Sequence, residues 1–184
     1  MSKGERKLSS RRIYDGRILN LRVDEVETAR GKKATREVVE HHTAVCVLAV
    51  TENDDVLLVR QFRYAVGEET LEICAGLAET GEDLKETAER EMQEELGLFP
   101  GTIREIGRFY VSPGFCTELL VLFLAGDLRE SKLPQDDDEN VRTVKVPCRE
   151  VPALLAGGAV RDAKTFAALS WLMAWKDLKP VISV

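Results

Sequence analysis

The stretch that decides this chain is Ala75-Gly76-Leu77-Ala78-Glu79-Thr80-Gly81-Glu82-Asp83-Leu84-Lys85-Glu86-Thr87-Ala88-Glu89-Arg90-Glu91-Met92-Gln93-Glu94-Glu95-Leu96-Gly97-Leu98. It reads as a loop leading into one helix from Asp83 to Leu96. Thr80-Gly81-Glu82 precedes the helix, Gly97 stops it and Pro100 lies beyond, which is good termination chemistry. With Leu84 set at zero, Ala88, Met92 and Leu96 fall at about 40°, 80° and 120° around the axis and make an apolar stripe. Glu91 at about 340° and Glu95 at about 20° land on or beside that stripe, with Glu94 at about 280°. Two carboxylates one turn apart on the face that should meet the protein repel each other, and burial raises the cost of each charge. A solvated, glutamate-rich helix does not explain why they share a side with Leu84 and Ala88. A hard divalent cation, which accepts several oxygen ligands, does.

Outward from the helix the chain is rich in strand signals. Upstream, Val45–Val50, the turn Glu52-Asn53-Asp54-Asp55 and Val56–Phe62 make a hairpin, and Thr70–Cys74 is a further short strand. Before them, Ile18, Leu19, Leu21, Val23 and Val26 half-alternate, Ala29-Arg30-Gly31-Lys32 supplies a turn, and Glu37-Val38-Val39 returns. These residues, 1–42, are expected to form an antiparallel strand appendage to a main domain over 43–184. Downstream, strands are expected at Ile106–Val111, Leu119–Leu124 and Val141–Val146. A short helix follows near Glu150–Ala156, and a longer one over Ala163–Trp175 with Asp162 as its N-cap. The fold class is therefore α+β, a mixed sheet carrying helices on its faces.

Composition narrows the chemistry. The 184 residues carry 26 basic and 32 acidic side chains, a net charge of −6, where a nucleic-acid binder would more often be basic. The longest apolar runs, Ala44–Val50 and Leu119–Ala125, fall far short of the roughly 20 residues that cross a bilayer, and Met1–Arg12 has no apolar leader core. A cytoplasmic protein bound to neither membrane nor nucleic acid is expected. Cys46, Cys74, Cys116 and Cys148 form no C-x-x-C pair and are read as free thiols. The only histidines, His41 and His42, are adjacent, and no G-x-S-x-G elbow is present, so a histidine zinc site and a serine triad drop out. The chemistry rests on carboxylates, arginine and a metal.

Gly76, Glu82, Arg90, Glu91, Glu94, Glu95 and Gly97, with Met92 and Leu98 at the two apolar positions, fill every slot of G-x5-E-x7-R-E-U-x-E-E-x-G-U. The chain thereby resembles the Nudix hydrolases, whose signature this is and which act on a nucleoside diphosphate linked to another moiety. The resemblance implies that Glu91 and Glu95 ligate metal, that Glu94 is a further ligand and that the Ala75 carbonyl joins them. It also implies that Arg90 and Glu82 orient the catalytic glutamates, and that Mg²⁺, or Mn²⁺ in its place, bridges the phosphate oxygens.

The flanks are similar to those of ADP-ribose pyrophosphatases and their nucleotide-sugar-hydrolysing relatives. The likeness runs from about Tyr14 to Trp175. It implies that Arg63, in Val59-Arg60-Gln61-Phe62-Arg63, grips the diphosphate and that Glu72 supports the metal site. Pro113, in the turn Ser112-Pro113-Gly114-Phe115, stands fifteen residues past Leu98 at the position of the subfamily's marker proline, and Pro113 and Gly114 are assigned to the substrate pocket. Arg36 and Glu37 occupy the place of an adenine-contacting glutamate that reaches across a homodimer with exchanged N-terminal strands. In the acidic loop Gln135–Asn140, Glu139 matches a catalytic base or metal ligand, with Asp137 as the alternative. The implied reaction is hydrolysis of ADP-ribose to AMP and ribose 5-phosphate. The alternatives are another nucleotide sugar such as GDP-mannose, or a non-catalytic nucleotide-binding domain. One residue departs from the pattern: Cys74 stands where close relatives have proline, leaving that strand exit with an N–H and a freer φ.

Overall fold

The computed structural model describes residues 4–79, 81–135 and 140–178, the side chains of 176–178 apart. The chain forms two compact units, Met1–Thr43 with Phe109–Leu119, and Ala44–Arg108 with Leu120–Val184. Glu139 and Asp137 lie outside the described residues.

In the first unit, β1 (Arg6–Asp15), β2 (Leu19–Glu27) and β3 (Lys33–His41) form an antiparallel sheet in that order. The turn between β2 and β3 closes where the Thr28 N–H donates to the Lys32 carbonyl, with Gly31 in the left-handed region that such a turn demands. Strand β1 extends the sheet beyond the periodic run that starts at Ile18. It is exposed almost throughout and its apolar residues, Leu8, Ile13 and Tyr14, do not alternate, so periodicity carries no sign of it. The turn Ser112–Cys116 is pinned to β3: the Val39 N–H donates to the Phe115 carbonyl at 2.8 Å, and the Thr117 N–H to the Val39 carbonyl at 2.9 Å.

The second unit is built on a mixed sheet ordered β10-β5-β4-β9-β8, from β4 (Ala44–Val50), β5 (Asp55–Arg63), β8 (Leu98–Tyr110), β9 (Leu119–Glu130) and β10 (Arg142–Pro147). Strand β4 runs parallel to β9 and antiparallel to β5, and those two partners leave it buried along Ala44–Ala49. Its unbroken apolar run is the mark of a strand covered on both faces. Val47 pairs with Cys74, whose thiol feels the charges of Glu95 and Glu91, whereas the Cys46 thiol feels Lys164 and Asp162. Successive side chains of a strand point to opposite faces, so a helix lies on each: α1 (Leu84–Glu91) on one and α3 (Ala163–Leu178) on the other. A shorter helix, α2 (Val151–Ala156), precedes α3.

The segment expected as one strand over Thr70–Cys74 is two. Strand β6 (Glu68–Glu72) pairs with β5 and β7 (Cys74–Leu77) pairs with β4, because β4 and β5 are in register only at Ala49–Leu57 and Val50–Val56 and then splay. The chain crosses the gap at Ile73, whose N–H is taken by the Thr165 hydroxyl at 2.8 Å. Strand β8 starts at Leu98, well before the expected Ile106, and runs through Pro100 and Gly101. No described helix is long and apolar enough to cross a membrane.

Helix α1 starts at Leu84 because the Asp83 carboxylate caps it, accepting from the N–H groups of Lys85 (2.9 Å) and Glu86 (3.3 Å). Ala88 and Met92 of the predicted stripe are fully buried, together with Thr87, while Leu84 and Leu96 are only partly covered. Removing the cap with Asp83→Ala should cost about 1 kcal/mol, read as a lower urea midpoint with an unchanged slope.

Candidate active site

The helix does not stay α-helical to its end. From Met92 to Leu96 it widens into a π turn, and Gly97 closes it at φ 70° with its N–H on the Met92 carbonyl. Single π turns occur often where a helix must re-aim side chains, and this one carries Glu94 and Glu95. Glu91 and Glu95 are both buried, as the helical spacing predicts, and Glu94 is half-buried.

The backbone of β7 meets them. A Cβ on Gly76 would fall far inside van der Waals contact with the Glu91 carboxylate, so any other residue there would have to displace that carboxylate from the place Arg90 holds it. The next residue donates: Ala75 N–H reaches Glu95 Oε2 at 3.2 Å. In an extended strand a residue's N–H and C=O point to the same edge, so the Ala75 carbonyl is turned toward Glu95 and away from β4. The Cys74 thiol, wholly buried, is held protonated by burial and by the adjoining Glu95 carboxylate, with which it shares a hydrogen bond.

Arg90 binds the acids together. Its Nη1 donates to Glu91 Oε1 (2.8 Å) and Glu94 Oε2 (2.9 Å), its Nε to Glu82 Oε1 (3.2 Å) and its Nη2 to the Leu77 carbonyl (3.3 Å). Burial alone would lower the Arg90 pKa, but the Glu82 hydrogen bond and the charges of Glu91, Glu82 and Glu94 outweigh it and raise it. Burial would likewise raise Glu82, yet Arg90, the Glu79 N–H and the Thr87 hydroxyl hold it low. Three carboxylates thus share one guanidinium and keep an excess of negative charge. Among the described residues no three acidic, histidine or cysteine groups close into a ready metal cage, because Arg90 stands between Glu91 and Glu94. The donors themselves, three carboxylates and one carbonyl, are the hard oxygens that a small divalent cation prefers. Mg²⁺ in particular keeps waters and phosphate oxygens in its shell and needs few protein ligands. The residues fit such an ion.

A second network adjoins Glu95. Arg63 forks onto Glu72, Nε to Oε1 at 2.8 Å and Nη2 to Oε2 at 2.7 Å. Glu72 also accepts from Lys164 Nζ and from the Thr70 hydroxyl, and its side chain is 3% exposed. Lys164 is tied in turn to Asp162 (3.1 Å), which caps α3 through the Thr165 N–H at 2.9 Å. Burial would raise the Glu72 pKa, but Arg63, Lys164 and Thr70 bring it down to about 2. The Arg63 pKa is raised, first by Glu72 and further by the charges of Glu95 and Asp162. Arg63 therefore meets the site already paired, with the outer donors of its half-exposed fork still directed elsewhere than Glu72.

The residues assigned to base and sugar contacts lie in the first unit. The Arg36 fork is held by Glu5, Glu37 is exposed on β3, and Pro113 and Gly114 are exposed in the turn after β8. Sequence reading missed Lys164 and Gln61. A lysine in the first turn of a helix opposes the macrodipole, and that misplacement is the signal Lys164 offered. Gln61 is 9% exposed and its Oε1 has no partner, an arrangement that costs about 1–3 kcal/mol; nothing in its neighbours' identity announced it.

Because the folded pKa of Glu72 lies below its ordinary 4.5, its contribution to stability is complete above that value and lost as pH falls toward 2. Glu72→Gln should lower stability by roughly 2–4 kcal/mol at pH 7, by stranding Lys164. In urea titrations the gap from the parent should narrow steadily between pH 4.5 and 2.

Comparison with known proteins bears on the family and the fold. The model for the NUDIX domain matches residues 40–169, and that for the nucleoside diphosphate sugar hydrolase N-terminal domain matches residues 5–39. The chain is 38% identical to the ADP-ribose pyrophosphatase of Bacillus subtilis (strain 168), over 95% of this chain and 96% of that one. It is 32% identical to the GDP-mannose pyrophosphatase of Citrobacter koseri, over 74% and 76% respectively. A crystal structure described as an ADP compounds hydrolase superposes with a TM-score of 0.87 at 22% identity, covering 98% of this chain and 97% of the other, which establishes a common fold. The glutamates under the helix, the glycine beneath them and the matched models lead to one assignment: the chain belongs to the Nudix family of hydrolases.

Proposed function

We propose that the chain hydrolyses the diphosphate of nucleoside diphosphate sugars, ADP-ribose foremost, giving AMP and ribose 5-phosphate. The observation that carries this reading is the pair of buried acids, Glu91 and Glu95, seated on the backbone of Gly76 and Ala75 beside the Arg63–Glu72 pair. Nudix hydrolases work with divalent metal ions, and here Glu91, Glu94, Glu95 and the Ala75 carbonyl would hold Mg²⁺, or Mn²⁺ in its place. Such an ion, when bound, neutralises diphosphate charge and acidifies a water.

The chain's own residues do the rest. The Ala75 N–H sets the Glu95 carboxylate, and Arg90 sets Glu91 and Glu94 from the opposite side. Arg63 offers its outward donors to the diphosphate, while Glu72, ionised down to about pH 2, keeps the guanidinium oriented. Glu139, or Asp137, takes the proton of the attacking water as general base. Residues 1–42 act as a dimerisation element with exchanged strands that brings Arg36 and Glu37 to the base, Pro113 and Gly114 join the substrate pocket, and residues 43–184 form the hydrolase domain. Ile13, Tyr14, Ile18 and Leu19 of the first unit are exposed large apolar side chains, as a self-association surface requires. Arg36 would exchange Glu5 for substrate.

GDP-mannose is the second reading, favoured by the relatives bearing that name. A phosphate-release assay, coupled to phosphatase, over ADP-ribose, GDP-mannose, UDP-glucose and dinucleoside polyphosphates decides between them. ADP-ribose should turn over fastest and stop on chelation. Idle ADP-ribose beside brisk GDP-mannose would move the assignment to the second reading. Glu95→Gln should lower kcat by at least about 10²-fold with the metal-free melting temperature unchanged or slightly raised, since it relieves repulsion. Millimolar Mg²⁺ should raise the melting temperature of the parent by mass action and leave that of Glu95→Gln nearly flat.

A further inference from the structure

Among the described residues of the second unit, Gln61 alone keeps a buried side-chain polar atom without a partner, its Oε1. Residues two apart on a strand share a face, so Gln61 stands beside Arg63. The register of β5 with β6 pairs Gln61 with Thr70 and Val59 with Glu72, which puts Thr70 and Glu72 on that face as well.

The donors around it are aimed elsewhere. The Thr70 hydroxyl serves Glu72 and the backbone carbonyl of Gln61, Arg63 forks onto Glu72, and Lys164 serves Glu72 and Asp162. An aliphatic residue would fill this strand position without an orphaned acceptor, as Val59 does two residues earlier at 1% exposure. The chain itself thus supplies the Gln61 carboxamide oxygen with no donor.

The geometry points to Gln61 as a specificity-determining residue that accepts a hydrogen bond from a hydroxyl of the sugar attached to the diphosphate. The inference rests on the functional reading above. An ionised diphosphate offers only acceptors, so it suits Arg63 and not an amide oxygen. A sugar hydroxyl is a donor. The two side chains leave β5 about 7 Å apart, a span that a phosphate and its attached sugar ring cover, so one strand would read charge with Arg63 and hydroxyl with Gln61.

Gln61→Met and Gln61→Leu test this in the full-length protein. Equilibrium binding of ADP-ribose and of ADP, which carries the diphosphate without the second sugar, is measured by calorimetry in metal-free buffer, alongside kcat, KM and melting temperature. Both variants should bind ADP-ribose about three- to tenfold more weakly, with KM raised to match, kcat within twofold and ADP binding unchanged. The melting temperature should equal or exceed that of the parent, because the orphaned acceptor is gone. Equal weakening toward both ligands, no weakening toward either, or a melting temperature lowered by several degrees in both variants would overturn the assignment. A parent that binds ADP-ribose but cleaves no nucleotide sugar ends the functional reading and leaves the binding comparison to decide Gln61. A parent that cleaves no nucleotide sugar and binds neither ligand overturns both.

Discussion

The Glu91 carboxylate fills the volume where any residue at position 76 other than glycine would carry its Cβ. That contact ties the helix to strand β7 at the point where acids would otherwise be forced apart. Glu95 completes the arrangement on the neighbouring residue, with the Ala75 N–H as donor. Burying a carboxylate costs several kcal/mol, and two of them one turn apart add their repulsion even with their hydrogen-bond partners in place. A chain selected for stability alone would put leucine at both positions. Arg90 offsets part of the cost by serving three carboxylates at once. The remainder is what a divalent cation could relieve, and the fold holds these acids inward at its own expense.

The rest of the second unit serves that contact. Because β4 and β5 part after two paired residues, β6 and β7 can enter the gap, and β7 arrives under the helix with its backbone exposed to the glutamates. The opposite helix closes the gap from behind. Thr165 satisfies the Ile73 N–H at the crossing, and Lys164 reaches Glu72. Glu72 therefore joins three elements, β5 through Arg63, α3 through Lys164 and its own strand through Thr70. A carboxylate held by so many donors resists protonation far below the ordinary range, so Arg63 keeps its orientation wherever the enzyme is folded.

Much of this was legible in the sequence, for reasons specific to each element. The helix could be read because i, i+4 spacing and the Asp83 and Gly97 boundary residues are local properties. The hairpin strands over Val45–Val50 and Val56–Phe62 could be read because their apolar runs flank the turn residues Glu52–Asp55. The family motif added the glycine at 76, whose meaning is visible only once Glu91 is seen lying on it. Other features were not legible, because they arise from contacts distant in sequence. The division of Thr70–Cys74 between two partners follows from the splay of β4 and β5, and no local pattern announces the π turn at Met92–Leu96. Strand β1 is exposed almost throughout and its three apolar residues do not alternate, so periodicity could not report it. Lys164 lies 92 residues from Glu72, and no local rule connects them.

The central claim is that Glu91 and Glu95 are held inward for a divalent cation lying between them and a diphosphate. The direct measurement is the anomalous difference density of crystals grown with Mn²⁺ and a non-cleavable ADP-ribose analogue. The account predicts a peak bounded by Glu91, Glu95 and the Ala75 carbonyl on one side and by diphosphate oxygens on the other. Ordered analogue with both carboxylates in bulk solvent, and no peak beside them, would contradict it.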